Sequence, residues 1–593
     1  MQSELHQALL SCGYRYTKAQ HIPSGTPLRA YDDAKGFYVK SYGTPSGEFD
    51  VALSFTADPY IALPMAYVLN SPDQYKGRLL PHINMGWYLC YVEEMEADWD
   101  ANDLRGLYFQ VDAQIQLTLE AAVASAVKGA PDDQEMEGEF SSYWLPDKTI
   151  YVLSEAAEKK PLECLVAIGT TSVSTHGSAS KEEWIAYEKG DVNERAQWLA
   201  LRGLTRRDEK TFLTSYFKIK PSRLAGVLWP PQNLRAVLQW LTEVDPSARA
   251  RILDHFVNNP VKRHVLLLDV HHQDMVGLYV ELDLAATGLN TYSSTKNRKK
   301  ATGRVVKHGT LLSCLSSKRS VKKFIRLGVT RADRKTILSR NRQRTAIGDL
   351  STKRIALIGC GTVGGYLASL LLRSGAGCGS EKFDLYDHDS FGPHNFGRHP
   401  LSTTDFGQNK AVAIATTLKM STHLNCKVEG HPTRFSIHTE LLKQYDIVID
   451  STGRPPVSKR LAHVVRTMSD KRPILVHGFN DGNGRSSKVI VDDGSCCFGC
   501  LLADRAFYKN GVDIRFKDID NNNERHISCG STYTPYDAAV SVITASLMQE
   551  AVLYSLEPKL RWTYSEHMLD GSRSRQPRQL PRQPNCDICH GQH

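Results

Sequence analysis

Three groups of residues in this chain have the types and spacing to do chemistry. In the first, Arg354-Ile-Ala-Leu-Ile enters a glycine turn, Gly359-Cys-Gly361-Thr-Val-Gly364-Gly365, and Tyr386-Asp387-His-Asp389 follows, with Asp387 lying 23 residues after Gly364. Small residues at these spacings let backbone N–H groups approach a nucleotide phosphate at a helix N-terminus, and the acid that follows suits a ribose hydroxyl. On the glycines alone, a dinucleotide would be the default ligand. The downstream His394-Asn395-Phe-Gly-Arg398 and Gly407-Gln-Asn-Lys410-Ala add polar and cationic groups. Hydride transfer has no need of such groups, whereas nucleotidyl transfer from a triphosphate does.

The second group is Cys497-Phe-Gly-Cys500 and Cys586-Asp-Ile-Cys589, two pairs with 85 residues between them. Two thiolates separated by two residues span one edge of a tetrahedron, and two such pairs complete a structural zinc site. Cys496 is an alternative ligand, and four metal-free cysteines are the bland reading. The third group is two single cysteines. Cys529 lies in His526-Ile-Ser-Cys529-Gly-Ser-Thr-Tyr-Thr-Pro535, ahead of a helix-forming stretch whose dipole would favour its thiolate. Cys90 lies in Leu80-Pro-His82-Ile-Asn84-Met-Gly86-Trp-Tyr-Leu-Cys90, with Trp99 beyond it. Either could equally be a core thiol, since free cysteine is commonly buried. Cys12, Cys164, Cys314, Cys360, Cys378 and Cys426 carry no motif.

The glycine turn, the Asp-x-Asp strand end, the Asn-x-x-Arg pair and the Gly-x-x-Lys motif resemble, in this order, the adenylating family that includes ThiF, MoeB and the ubiquitin-activating enzymes. The resemblance implies ATP and magnesium as cofactors. Gly359, Gly361 and Gly364 would line the phosphates, Asp387 and Asp389 would end the ribose strand, and Asn395, Arg398 and Lys410 would contact phosphate. Ser339-Arg340-Asn341-Arg342-Gln343 is similar to the segment whose arginine crosses a dimer interface, which makes Arg342 the trans arginine and the protein a homodimer. Asp450 keeps the first acid of a later strand end, but Gly453 stands where the family often has the second. MoeB-like enzymes share the paired cysteines, which supports Zn2+. In activating enzymes a cysteine placed like Cys529 takes the acyl group from AMP. The segment around Cys90 resembles the ubiquitin-conjugating fold, with the proline displaced to Pro81 and a shorter spacing to the cysteine.

Composition sets the frame. At 593 residues the chain holds about three domains, and no run is apolar enough to span a bilayer. The N-terminus lacks a secretory pattern, so a soluble cytoplasmic protein without membrane contact is expected. Thirteen cysteines in a chain this long suggest metal or catalysis rather than a disulfide frame. The net charge of +9 is concentrated between Lys296 and Arg344, with seventeen Lys or Arg against the single acid Asp333. This reads as a solvated linker face or a docking surface for an anionic partner. Without aromatic interleaving, nucleic acid is not the expected partner.

The expected fold class is α/β multidomain. Residues 1–150 form an α+β ubiquitin-conjugating-like domain and 151–345 an α/β linker domain with the basic 296–344 segment. Residues 346–593 form a Rossmann-like adenylating domain with a mostly parallel sheet, ending in a flexible connector after Asp570. This order matches the bacterial activating–conjugating fusion of CBASS antiphage operons. The resemblance implies a ligase that adenylates the C-terminal carboxylate of a cGAS-like nucleotidyltransferase, passes it from Cys529 to Cys90 and joins it to a target amine. A dedicated bacterial ubiquitin-like protein, or the sulfur carrier of a ThiF/MoeB-type adenylyltransferase, are rival substrates.

Overall fold

The structure is a computed structural model. It describes every residue except 1, 23–27, 29–35, 77–78, 85, 101, 128–139, 171–179, 209, 222–223, 225–228, 288, 290–307, 316, 318, 341, 343–347, 520–532 and 591–593. The chain divides into two compact units, residues 1–190 with 205–331, and 191–204 with 332–593. The division falls at 332, and a short stretch of the expected linker belongs with the C-terminal part.

The C-terminal unit is built on a seven-stranded sheet. Its order is Val428–His431, Phe383–Tyr386, Ile355–Ile358, Ile447–Asp450, Ile474–Asp481, Ser486–Asp492 and Tyr564–Met568. The first four pairings are parallel and the last two antiparallel, giving a mostly parallel sheet. Ile355, Ala356 and Leu357 are fully buried, as expected of a parallel strand covered on both faces. Burying each large aliphatic side chain stabilises the fold by about 1.5–3 kcal/mol. Helices Thr362–Arg373, Lys410–Met420 and Pro455–Thr467 follow strands, and Ala538–Tyr554 packs beside the first of them. Gln549 Nε2 donates to Ser374 Oγ at 2.8 Å across that helix pair. Within the same unit, helix Val192–Leu201 sets Trp198 edge-on against His423 at 4.9 Å between ring centres.

The N-terminal unit contains two sheets. Arg15–Thr17, Phe37–Thr44, Gly47–Ser54, Met65–Asn70 and Tyr88–Leu89 pair antiparallel in chain order. Helix Leu104–Val127 is fastened to them by Lys40 Nζ to Asp112 Oδ1 at 2.7 Å. The second sheet was expected only as a mixture of strands and helices. It closes on itself, because Phe212–Ile219 pairs with Arg263–Val270 on one side and, through Phe212↔Cys164, with Leu162–Thr170 on the other. Trp184, Phe212 and Tyr279 fill this closed sheet, with ring centres 5.0–5.8 Å apart.

Two expectations are corrected. Part of the basic stretch is not a linker, because Val321–Arg331 is an interior strand of the closed sheet, flanked by Met275–Leu282 and Lys148–Val152. Lys322, Lys323 and Arg331 are exposed near its two ends, while Arg326 is largely buried and pairs with Asp147. Nor is the segment after Asp570 a loose connector. Arg575 bonds to Asp513 and Glu566, Arg578 exchanges backbone hydrogen bonds with Tyr564, and Leu580 is buried. Among the described residues no helix is long and apolar enough to cross a membrane.

Between helix Pro246–Asn258 and the strand Arg263–Val270, half-buried His255 and fully buried His264 form a pair, Nε2 to Nδ1 at 3.1 Å. Burial lowers the pKa of His255 to about 4, and burial together with His255 lowers that of His264 to about 3. Unfolded histidine titrates near 6.5, so between there and about pH 4 the unfolded chain holds more protons than the fold. Stability is therefore full above about pH 6.5 and falls as pH drops, by up to about 1.4 kcal/mol per pH unit for each ring. Urea unfolding of the N-terminal unit, followed in the whole protein from pH 7 to 4.5, should show this slope. The double variant His255→Gln/His264→Gln should flatten it.

Candidate active site and metal centre

The glycine turn leaves the strand Ile355–Ile358 with Gly359 at φ +89°, a region costly for any residue with a Cβ. Its N–H donates to Tyr386 O at 2.9 Å. Gly361 caps helix Thr362–Arg373, and a Cβ on Gly364 would stand 1.9 Å from Gly359 O, so only glycine lets the helix start so close to the turn. Asp387 is nearly buried and works on the backbone. Its Oδ2 accepts from Cys360 N at 2.7 Å and its Oδ1 from Asp389 N at 2.8 Å. Asp389 is exposed and takes Lys410 Nζ at 3.4 Å, while Lys410 itself is largely buried. His399 Nε2 donates to Cys360 O at 2.9 Å, and burial holds its pKa below the usual histidine value.

The other expected nucleotide residues are occupied. Asn395 Oδ1 accepts from Gly392 N at 3.0 Å, closing its own 3-10 turn. Arg398 donates to Thr534 O at 2.8 Å and lies 4.4 Å over the Tyr536 ring, whose hydroxyl is 3.4 Å from Thr362 Oγ1 on the glycine turn. Arg342 donates to Asp349 Oδ2 at 2.9 Å within its own chain. Cys529 lies outside the described residues.

Asp450 is 2% exposed. Its Oδ1 accepts from Thr452 N and Oγ1, and its Oδ2 from Ser458 Oγ and His477 Nδ1, all within 3.1 Å. Burial alone would raise its pKa, but these bonds, led by His477, hold it below the usual carboxylate range. A carboxylate accepts about four hydrogen bonds, so Asp450 has no lone pair left for magnesium. With Gly453 beside it, the residues at this strand end do not fit that ion.

Next to the turn, a polar cavity of about 370 Å³ is lined by Thr362, Ser451, Gly453, Asn480, Asp481 and Tyr536, among others. Sequence reasoning missed the ion network beneath its wall. Lys488 is fully buried, with Nζ 2.6 Å from Asp481 Oδ2, 2.6 Å from Asp513 Oδ2 and 2.9 Å from Tyr508 OH. Arg515 and Arg575 extend the network to Glu566. Three cations meet three carboxylates drawn from four separate stretches of chain, a balance that no local pattern signals. Tyr536 was also missed, its only signal being the helix that Pro535 announces.

The four motif cysteines meet. Sγ separations are 3.8 Å for Cys497–Cys500, 3.6 Å for Cys497–Cys586, 3.6 Å for Cys500–Cys589 and 3.4 Å for Cys497–Cys589. A tetrahedron of zinc–sulfur bonds of about 2.3 Å has an edge of about 3.8 Å, so the set fits zinc. Cys496 is not part of it. Its thiol turns to Val491 O, and burial pushes its pKa up to about 12. Zinc here would tie the chain's last cysteine pair to the core, a structural role.

In the N-terminal unit, Cys90 is half-buried and its N–H donates to His82 O at 2.8 Å. Asn84 Oδ1 accepts from Gly86 N and Tyr88 N, and Trp99 Nε1 donates to Tyr60 O. The motif thus shapes the turn leading to the cysteine.

Family models agree with this division. Residues 12–152 match the prokaryotic E2 family B, and residues 333–588 match the ThiF family. A protein of Vibrio cholerae described as ATP-dependent ubiquitin transferase-like protein Cap2 is 52% identical over 592 residues, covering 99% of this chain and all of that one. The chain belongs to the Cap2 family. An Escherichia coli member is 48% identical over 595 residues, covering 99% of both chains. Cap2 membership makes this an ATP-dependent ubiquitin transferase-like protein, with an E2-like part at the N-terminal end and a ThiF part at the C-terminal end.

Asp387→Ala should cost about 1–3 kcal/mol of stability, because two buried N–H groups lose their acceptor, and should weaken ATP binding as well. Asp389→Ala, which removes only the 3.4 Å contact of an exposed carboxylate with Lys410, should lower the melting temperature by less than Asp387→Ala. Thermal unfolding with ATP titration of both variants separates the two roles.

Proposed function

We propose that the protein adenylates the C-terminal carboxylate of a protein, carries it as a thioester on Cys529 and then Cys90, and joins it to a target amine. A cGAS-like nucleotidyltransferase is the proposed donor, in CBASS antiphage defence. The observation that carries the reading is the bond from Arg398 to Thr534 O. Arg398, in the 3-10 turn Pro393–Arg398, holds Thr534 and lies over Tyr536, whose hydroxyl reaches Thr362 at the glycine turn, and Cys529 stands five residues before Thr534 in the chain.

A carboxylate is a poor acyl donor because its oxygen leaves badly. In the first step its oxygen attacks the α-phosphorus of ATP, and the bond to pyrophosphate breaks. Lys410 and Arg398 offset the charge that develops on the phosphates. Arg398 must leave Thr534 O to do so, and Arg342 must leave Asp349 to serve a partner protomer in a homodimer. The Cys529 thiolate then attacks the acyl carbon and AMP departs, which divides one hard transfer into two easier ones. Exchange onto Cys90 replaces one thioester by another, and having both thiols in one chain raises their effective concentration. Finally an amine attacks the acyl carbon on Cys90 and the thiolate leaves. No step is assigned to a protein-held magnesium ion, and the cysteine centre is structural. A ubiquitin-like protein would follow the same steps, and neighbouring genes separate the two donors.

Intact mass and non-reducing gels test the relay, using protein incubated with ATP, magnesium and a candidate nucleotidyltransferase. A thiol-sensitive adduct should form, disappear in Cys529→Ala, and accumulate without turnover in Cys90→Ala. Adenylated partner without any adduct would reduce the protein to an adenylyltransferase.

A further inference from the structure

The last helix turn of Pro455–Thr467 presents Arg466 to the cysteine centre. Its side chain is 11% exposed, and the Asp492 side chain beside it is fully buried. Arg466 NH2 donates to Asp492 Oδ1 at 2.7 Å and to Cys496 O at 2.5 Å, the residue before the first cysteine ligand. Its Nε and NH1 are buried without a hydrogen-bond partner. The guanidinium also faces the Cys589 sulfur. Two orphaned buried donors on a charged group would be expensive in any protein. Here the same guanidinium bonds the residue before the first cysteine ligand, so they lie beside the cysteine centre.

Four cysteine thiolates around one divalent zinc carry two net negative charges, and loading the site releases one proton from each thiol. Three of the four cysteines are buried, so water can do little to stabilise that charge. Cys589 is the least buried of the four, which makes it the vertex most open to attack. Metal-bound histidines are commonly oriented by an outer carboxylate. Here the carboxylate and the ligand are joined by a guanidinium instead.

We propose that Asp492, Arg466 and Cys589 form an outer-shell relay that holds the zinc. Asp492 fixes the guanidinium, and the spare N–H groups of Arg466 donate to the thiolate of Cys589. Because Arg466 and Asp492 cancel in charge, the benefit comes from aimed N–H dipoles rather than from a net cation. The planar fork is therefore required, and lysine would not replace it. Arg466 is a positioning residue for the metal centre. It has no part in the acyl transfer proposed above, on which this inference does not rest.

The test is zinc content by mass spectrometry, followed by release of zinc to a chromogenic chelator, on the full-length protein. Wild type should contain one zinc per chain and release it slowly. Arg466→Gln should release it about 10- to 100-fold faster, the usual scale of an outer-shell loss. In that variant Cys589 should be the first cysteine alkylated. Arg466→Lys should resemble Arg466→Gln, and Asp492→Asn should shift release in the same direction. If Arg466→Gln does not fold, Arg466→Lys carries the test. Release within twofold of wild type in Arg466→Lys would overturn the relay while leaving the zinc site standing. Wild type purified without zinc would overturn both. Cobalt-loaded protein should keep its sulfur-to-metal absorption in every variant, showing that the four ligands remain.

Discussion

The two oxygens of Asp387 each hold one backbone N–H, that of Cys360 in the glycine turn and that of Asp389 in its own loop. The turn can bend through Gly359 only because something fixes its next peptide, and the parallel strands on either side bring that carboxylate to it. Tyr386 O takes the Gly359 N–H from the same strand end. Two of these hydrogen bonds join the ends of two neighbouring strands, and the third ties in the Asp389 loop, making one rigid corner. Everything around the nucleotide turn is measured from that corner: the helix that starts at Thr362, Asp389 with Lys410, and Arg398 with Tyr536. Without it the glycines would be merely flexible.

A second theme is the use of buried, satisfied charge as scaffolding. Asp450 is filled by Ser458, His477 and Thr452, and Lys488 is enclosed by Asp481, Asp513 and Tyr508. Buried pairs of this kind add little net stability, because desolvation offsets most of the attraction. Breaking one is costly, however, so each permits a single arrangement. Residues of or next to each network line the polar cavity, Ser451 and Thr452 beside Asp450 and Asp481 beside Lys488.

Much of the chemistry was legible in the sequence because it is local. The glycine turn, the acid pair and the cysteine pairs are fixed by spacings of a few residues, and strands such as Arg263–Val270 showed their length in their apolar runs. What escaped depends on contacts distant in sequence. Closure of the second sheet rests on Phe212 reaching Cys164, and apolar alternation cannot say which edges meet. The basic run looked like a solvated face because its charges hid the buried Ile325 and Leu327 between them. The arginine-rich stretch after Asp570 looked flexible because its acids, Asp513 and Glu566, lie elsewhere in the chain. The family resemblance assigned Asp450 to the cofactor, but only its four donors, in the folded chain, reveal how fully it is engaged.

Helix Val192–Leu201 has a consequence for how the protein is made. Trp198 leaves the ribosome early, and its ring partner His423 is encoded 225 residues later. At bacterial synthesis speeds of up to about 20 residues per second, that interval is roughly ten seconds or more. Over that interval the nascent chain lacks the imidazole that this indole packs against, although Arg202, whose guanidinium lies 4.8 Å over the ring in the fold, comes from the same stretch. The 191–204 stretch is therefore made early and completed late, once the residues of its own unit from 332 onward have been synthesised.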